Sequence, residues 1–295
     1  ASAYIADMSD DSNRSKNLGM IGAAFGLGFI IGPVIGGLLG QFGSRVPFYA
    51  AAVLCLVNFA YGYFILPESL GKEHRRPFEW KRANPVGSLL KVRTHPEILK
   101  LFIAWFLVYL ASHAVQTNWA YFTMYKFAWD EKTVGISLGV MGAFTAFVQG
   151  FLIRKVHPKL GSERSILYGI MFYCTGMLLF AFAQKEWMMY AILAIYCLGG
   201  IAGPALQSVI SSKVSPKEQG DLQGALTSVI SITSIIGPLL MTQIFYFFTH
   251  PDAKIKLLTL ELKPPFQFSG APFFLGFVLM AVSAYFVYYV FHRKK

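Results

Sequence analysis

Long uncharged stretches alternate with short charged segments along the whole chain. Eight stretches contain no Lys, Arg, Asp or Glu and are each at least 20 residues long: 18–40, 46–67, 101–125, 133–153, 165–184, 187–212, 222–250 and 264–292. A helix needs about 20 apolar residues to cross the hydrocarbon layer of a bilayer. Inside lipid each backbone polar group must be paired within the protein, and the stretches lack the strict alternation of barrel strands. We therefore predict eight transmembrane helices in an all-α membrane protein.

Composition supports a membrane protein over a soluble one. The chain has 295 residues, of which 55% are hydrophobic and 14% charged, whereas a soluble domain is about 25% charged. The three cysteines, Cys55, Cys174 and Cys197, all fall inside uncharged stretches and form no CxxC pair. They are typical of small buried residues, so we expect neither a disulfide nor a metal site.

The basic residues predict the orientation in the membrane. The formal net charge is +11. With the N-terminus, the connections 68–100, 154–164 and 213–221 and the C-terminus on one side, that side carries 19 of the 26 Lys and Arg residues. The positive-inside rule places it in the cytoplasm, so both termini are predicted to be cytoplasmic. An RNA-binding patch is the alternative, but no soluble fold is left to carry it, and we expect no nucleic-acid partner.

An internal repeat predicts how the helices are grouped. A shift of 205 residues superimposes the string IIGP at 30–33 on the same string at 235–238. The two stretches are six helices apart, which is typical of two parallel six-helix repeats. We predict three segments: 1–67 is the end of an N-terminal bundle, 68–96 is a basic cytoplasmic linker, and 97–295 is a C-terminal six-helix bundle.

A glycine-rich motif, GLGFIIGPVIGG, occupies the first uncharged stretch. Its residues are Gly26, Gly28, Gly32, Pro33, Gly36 and Gly37, and Gly237 and Pro238 repeat its centre. Glycines 28, 32, 36 and 40 line one helix face, where a second helix can approach closely, and Pro33 bends the helix. The motif is interpreted either as ordinary helix packing or as a hinge and seal on which two bundles rock.

The motif, preceded by AYIADMSDDSNRSKNLGM, resembles the antiporter motif in the fifth helix of major facilitator superfamily drug exporters, and is most similar to the tetracycline-resistance efflux branch. The likeness continues at 47–48, 66–69, 119–130, 135–137, 199–201, 204–207, 219–224 and 237–239. The resemblance implies a twelve-helix parent with the major facilitator fold, of which this chain holds the tail of helix 4 and helices 5–12. It further implies a bacterial inner (plasma) membrane protein that uses the proton gradient, needs no cofactor, and requires the missing N-terminal helices for activity.

The connection 154–164 resembles a degraded copy of the superfamily's Gly-Asp-Arg-rich cytoplasmic loop. The matching residues are Arg154, Lys155, Gly161 and Arg164. The alternative is a basic loop that only fixes topology, which we consider the better interpretation.

Polar and aromatic residues inside the stretches predict a substrate path. Tyr109, His113 and Gln116 share one helix face, and further candidates lie on other helices. The full set is Tyr109, His113, Gln116, Asn118, Trp119, Gln149, Tyr173, Gln207 and Ser211. Such side chains suit a large, mostly apolar ligand, although each alone is equally consistent with an interhelical hydrogen bond. Tyr173 stands where the tetracycline branch has an aspartate, which argues against tetracycline as the specific substrate.

These observations predict a secondary active transporter. We expect it to export a small, largely apolar molecule or drug by proton antiport and alternating access, with substrate, protons and lipid as its partners. The alternatives are an inactive fragment of such a carrier and a major facilitator carrier for a non-drug metabolite. An intramembrane enzyme is disfavoured, because the stretches contain no acidic residue and no HExxH string. The coupling carboxylates are accordingly expected in helices 1–4, and His113 in a role that modulates affinity.

Overall fold

The computed structural model describes residues 14–67, 96–213, 219–251, 255–257 and 260–292. Nine α-helices are found in these ranges: α1 Arg14–Gly40, α2 Val46–Phe64, α3 Pro96–Phe127, α4 Glu131–Phe147, α5 Ile153–Phe182, α6 Glu186–Leu198, α7 Ala202–Ser212, α8 Gln219–Thr249 and α9 Ala271–His292. A π-helical turn, Val148–Leu152, joins α4 to α5, and a 3₁₀ turn, Gly199–Ile201, joins α6 to α7. Two short strands, β1 Ile255–Leu257 and β2 Leu260–Leu262, lie between α8 and α9.

The helical character predicted from the sequence is confirmed. Six helical runs among the described residues are long and apolar enough to cross a membrane: Val46–Phe64, Ile98–Phe127, Glu131–Phe182, Glu186–Ser212, Leu222–Thr249 and Ala271–His292. One of them, Glu131–Phe182, is 52 residues long and contains two of the predicted stretches. The count of eight spans stays a prediction.

The long run is interrupted at Gly161, which has φ 73° and ψ 172° inside α5. Positive φ is strained for residues with a Cβ, so glycine suits this position. Pro158 also lies inside α5, where it removes one backbone hydrogen bond. The segment 154–164 was expected to be a loop, but it is helical on both sides of Gly161.

The last predicted span begins later than expected. The uncharged stretch starts at residue 264, whereas α9 starts at Ala271. Pro264 and Pro265 disfavour a helix there, and α9 has Pro272 in its first turn, where a proline is tolerated. The preceding hairpin pairs Lys256 with Glu261, and apolar and charged residues alternate along both strands.

The chain forms two compact units, which we describe separately. The first contains α1, α2 and the segment Asp130–Ala143 of α4, and the second contains α3 and Phe144–Lys295. The segments 1–67 and 97–295 remain predictions as domains. Nearly all of the predicted linker 68–96 lies outside the described residues.

In the first unit, α1 and α4 touch through glycines. A Cβ built on Gly135 would lie 2.5 Å from the Pro33 carbonyl oxygen and 2.8 Å from the Gly37 Cα. A Cβ on Gly37 would likewise lie 2.6 Å from the Glu131 carbonyl oxygen. Because the obstructing atoms belong to the backbone, only glycine permits this approach.

On the predicted glycine face, a Cβ on Gly40 would lie 3.1 Å from the Glu131 Cβ, but Gly28, Gly32 and Gly36 make no such contact among the described residues. A Cβ on any of the three would meet no described atom within 4 Å. The observed contact is on a neighbouring face, at Gly37, because α4 approaches α1 from that side. Gly26 lies in α1, but its surroundings are outside the described part of the structure.

Asp130 caps α4. The Thr133 backbone N–H donates a hydrogen bond of 2.8 Å to the Asp130 carboxylate, and the Thr133 hydroxyl donates a second one to the same oxygen. Both hydrogen bonds hold the pKa of the Asp130 carboxyl below its usual value, and the bond from the hydroxyl has the larger effect. The cap is therefore complete at neutral pH and is lost only as pH falls through that lowered pKa.

The second unit is built around α3 and α9. Its buried side chains include Leu101, Trp105 and Met280, and the Ser283 hydroxyl donates a hydrogen bond of 3.0 Å across to the Ala104 carbonyl. α8 packs against α3 at Gly237, where the His113 ring occupies the space of a Cβ. Gly237 of the repeated motif thus admits a side chain from a neighbouring helix.

We predict that Gly135→Ala weakens the first unit. The added methyl meets backbone atoms that cannot rotate away, and overpacking of this kind costs about 1–3 kcal/mol. Gly36→Ala is the matched control, because its Cβ meets open space among the described residues. Thermal unfolding of the purified chain in detergent should show a lower Tm for Gly135→Ala and an unchanged or higher Tm for Gly36→Ala. Equal Tm values for the two variants would contradict the assigned contact.

Candidate functional site

A polar stripe runs along α3 in the second unit. The Ser112 hydroxyl donates to the Tyr109 carbonyl at 2.7 Å, and the Gln116 amide nitrogen donates to the Ser112 hydroxyl at 3.1 Å. Trp105 continues the stripe one turn earlier, with its ring centroid 4.8 Å from that of Tyr109. From Trp105 to Gln116 the stripe covers about 16 Å, or half the hydrocarbon thickness.

This stripe faces an open cavity of about 320 Å³ whose lining residues all belong to the second unit. The lining comes from α3, the π-helical turn, α5, the 3₁₀ turn, α7 and α9. The lining residues are Trp105, Val108, Tyr109, Ser112, Gln116, Gln149, Tyr173, Gly200, Gly203, Pro204, Gln207 and Met280. Five of the nine residues predicted to lie on a substrate path therefore meet at one cavity.

Two departures from α-helical geometry shape its far wall. Gln149 lies in the π-helical turn, where the Ile153 N–H bonds to the Val148 carbonyl five residues back. π-helical turns are rare in proteins, and those that occur often lie at functional sites. Gly200 of the 3₁₀ turn lies beside Gln149, and a Cβ on Gly200 would be in ordinary contact with the Gln149 amide nitrogen, at 3.8 Å.

Tyr173 is held in place by the same 3₁₀ turn. A Cβ on Gly199 would lie 2.5 Å from the Tyr173 ring, so the ring packs directly on the glycine backbone. Tyr196 adds a ring contact with a centroid distance of 4.9 Å. The departure from α-helical geometry is at 199–201, and Pro204 lies in the first turn of α7, where proline is tolerated.

Four predicted site residues do not line the cavity. The His113 side chain packs on Gly237, and Trp119 is buried in an edge-to-face contact with Phe180. Asn118 is fully buried, and neither atom of its amide has a hydrogen-bond partner among the described residues. Ser211 accepts a hydrogen bond of 3.4 Å from Gln223, which in turn accepts one of 3.2 Å from Gln207.

Seven of the twelve lining residues were not among the predicted site residues: Trp105, Val108, Ser112, Gly200, Gly203, Pro204 and Met280. Ser112 and Trp105 lie within one turn of Tyr109, so extending the face of Tyr109 and Gln116 would have found them. Nothing in the sequence separates Met280 from the other apolar residues of its span.

The wall combines aromatic rings, amides and hydroxyls without a formal charge. None of the lining residues is Asp, Glu, Lys, Arg or His. The Trp105 indole N–H is buried and has no hydrogen-bond partner among the described residues. Among all the residues that the structure describes, no group of three His, Cys, Asp or Glu residues is arranged to hold a metal ion. The arrangement can bind an organic molecule by stacking and hydrogen bonding.

The predicted cytoplasmic segment lies apart from this wall. Arg154, Lys155 and Arg164 are exposed on either side of Gly161 in α5. The Lys155 ammonium lies 4.4 Å from the Phe151 ring centroid. None of these residues lines the 320 Å³ cavity.

Comparison with known proteins was made for sequence and for structure. The family model of the Major Facilitator Superfamily matches residues 1–238. The chain is 38% identical to the class C tetracycline resistance protein of Escherichia coli over 83% of this chain and 62% of that protein. It is 34% identical to the class B protein of Escherichia coli over 83% of this chain and 61% of that protein. The chain thus spans about 62% of the length of these relatives.

Solved structures share the fold. The human organic anion transporter MFSD10 (TETRAN) superposes with a TM-score of 0.64 at 21% identity, covering 97% of this chain and 66% of that one. A bacterial homologue of the lysosomal transporter Spinster gives a TM-score of 0.55 at 17% identity, covering 84% of this chain and 60% of that one. These relatives are transporters and not enzymes, as predicted, and the resemblance to tetracycline resistance proteins is confirmed. The chain belongs to the Major Facilitator Superfamily.

Proposed function

We propose that this chain contributes the substrate-binding wall of a secondary active transporter that exports a small, largely apolar molecule. The observation that carries the proposal is the uncharged cavity of aromatic, amide and hydroxyl side chains within the helical bundle. Pockets with mostly apolar walls and a few polar groups bind organic ligands of drug size. Export of a drug is supported by the similarity to tetracycline resistance proteins, which match most of this chain.

The charge of the wall bears on the substrate. An anion or a cation would find no opposite formal charge among the lining residues of this unit, and burying an unpaired charge costs several kcal/mol. The favoured substrate is therefore neutral at this wall. It has flat rings for Trp105, Tyr109 and Tyr173, and polar groups for the three amides Gln116, Gln149 and Gln207.

A carrier for a non-drug metabolite is the second candidate. Tyr173 favours it, because this residue stands at the position where the sequence resemblance leads us to expect an aspartate. A tyrosine offers a ring and one hydroxyl instead of a negative charge, which changes the ligand that the wall selects. A panel of neutral drugs and neutral metabolites, tested for competition, separates the two candidates.

Alternating access is proposed as the transport cycle. The π-helical turn Val148–Leu152 and the 3₁₀ turn Gly199–Ile201 both border the cavity. Residues at the ends of helical segments can absorb the backbone rotations of a hinge. These two turns would let the wall change its opening while the core around α3 and α9 stays packed.

Proton antiport is proposed as the energy source. No Asp or Glu lies within the eight uncharged stretches. His113 lies well inside a span, but its side chain packs on Gly237 and does not line the cavity. We therefore assign proton coupling to groups other than His113.

We predict that Gln149→Leu lowers substrate affinity about 10-fold, because a lost hydrogen bond costs about 1 kcal/mol or slightly more. The complete protein would be expressed in bacteria, and export would be followed with a panel of neutral fluorescent drugs in inverted vesicles. Gln243→Leu is the matched control, since Gln243 is exposed on α8 and does not line the cavity. If no panel compound is transported by the unmodified protein, the drug-export proposal fails.

A second prediction contrasts two buried indoles. Trp105 and Trp129 both have an unpartnered N–H, but only Trp105 lines the cavity. Trp105→Phe should lower ligand affinity several-fold through lost ring area and a lost donor, whereas Trp129→Phe should not. Both variants should keep their Tm within a few degrees, because neither removes a hydrogen bond among the described residues. Equal affinity in the two variants would exclude Trp105 from the binding wall.

The third prediction concerns His113→Gln. We expect substrate-driven proton flux in proteoliposomes to persist across a pH series, because the residue packs between helices. His250→Gln, at the end of α8, is the control. Loss of proton flux with substrate binding intact would make His113 the proton carrier and would overturn this assignment.

A further inference from the structure

A second cavity, of about 290 Å³, lies in the second unit beside the start of α5. Residues from α5 form one wall and residues from α7 the other. The lining residues are Ile153, Arg154, His157, Pro158, Pro204, Ala205 and Ser208. It shares only Pro204 with the larger cavity, so it is a separate site.

The chemistry of this second cavity is suited to an anion. Arg154 makes no hydrogen bond or ion pair with any residue that the structure describes, and the lining contains no carboxylate. His157 and Ser208 add an imidazole and a hydroxyl to the same wall. The nearest acid along the segment, Glu163, faces His292 at 3.6 Å. A guanidinium with a free fork of donors is the side chain that best matches phosphate.

The cavity also lies at the edge of the membrane-spanning part of the chain. Arg154 directly follows the uncharged stretch 133–153, and the next one begins at residue 165. Four of the seven lining residues, Ile153, Pro158, Pro204 and Ala205, have no polar side-chain group. The exposed ring of Phe151 lies just before the site in the chain, and the Lys155 ammonium lies 4.4 Å from the centroid of this ring. A lysine placed in this way is typical of the interface between lipid and water.

We propose that this second cavity binds the phosphate group of an anionic lipid, with Arg154 as its main ligand and His157 and Ser208 as hydrogen-bonding partners. It is an open cavity of about 290 Å³, which leaves room for a phosphate and a small alcohol headgroup. The apolar walls and the position between two spans favour a lipid over free phosphate, because the acyl chains can continue along the exposed surface beside Phe151. Basic pockets between membrane helices bind such headgroups in general.

The test compares lipid binding to variants of the complete protein. Purified protein would be exchanged into phosphatidylcholine, with or without phosphatidylglycerol, and the retained lipid counted by native mass spectrometry together with the Tm. We expect phosphatidylglycerol to be retained preferentially and to raise the Tm. Arg154→Gln should lower retention at least 5-fold, and His157→Gln should lower it less. Neither readout depends on transport, so this proposal can fail while the proposed function holds.

Two controls separate a built site from general basic charge. Lys159→Gln removes a charge from the same segment without touching the lining, and Lys185→Gln removes one from the connection between α5 and α6. Both should keep the preference for phosphatidylglycerol. Equal losses in all four variants, or in none, would overturn the proposal. If inorganic phosphate alone raises the Tm to the same value, and Arg154→Gln abolishes this rise, the ligand is free phosphate. That result would overturn the lipid assignment.

Discussion

The need to pair every backbone polar group inside the protein governs this structure. In a bilayer core water is absent, so the chain crosses as helices, and departures from helical geometry are tolerated where protein or an aqueous cavity surrounds them. The described part of the second unit follows this rule. The π-helical turn Val148–Leu152 and the 3₁₀ turn Gly199–Ile201 both border the larger cavity. Backbone irregularity and candidate site therefore coincide because the same free space permits both.

Glycine provides the second constraint, since helices in lipid associate mainly by close packing. The contact of Gly37 with Gly135, the seat of Tyr173 on Gly199, and the seat of His113 on Gly237 each use the space of a missing Cβ. The first joins two helices, the second orients a cavity residue, and the third brings a polar side chain between two helices. One residue type thus serves both stability and the site, which explains why glycine patterns alone did not distinguish packing from function.

The sequence predicted the helices well because the absence of charge over 20 residues is a property of each segment by itself. Tyr109, Gln116, Gln149, Tyr173 and Gln207 were likewise found from polarity within spans, and they meet at one cavity. Which polar residues face a cavity and which face a neighbouring helix depends on rotation and tilt, which polarity does not encode. Asn118 and Trp119 therefore had the same sequence signal as Gln116 yet are buried elsewhere. α9 starts only at Ala271, because Pro264 and Pro265 disfavour a helix before it. The prediction from the uncharged stretch gave this local effect of proline too little weight.

Pro204 links the two cavities. It lies in the first turn of α7, directly after the 3₁₀ turn, and it lines both the larger cavity and the second one. Pro204 has no backbone N–H, but this group would have no partner within the helix in a first turn, so the proline is tolerated there. A group occupying one cavity packs against the same turn that forms part of the other wall. Because Pro204 belongs to both walls, a shift of α7 would alter the shape of both cavities.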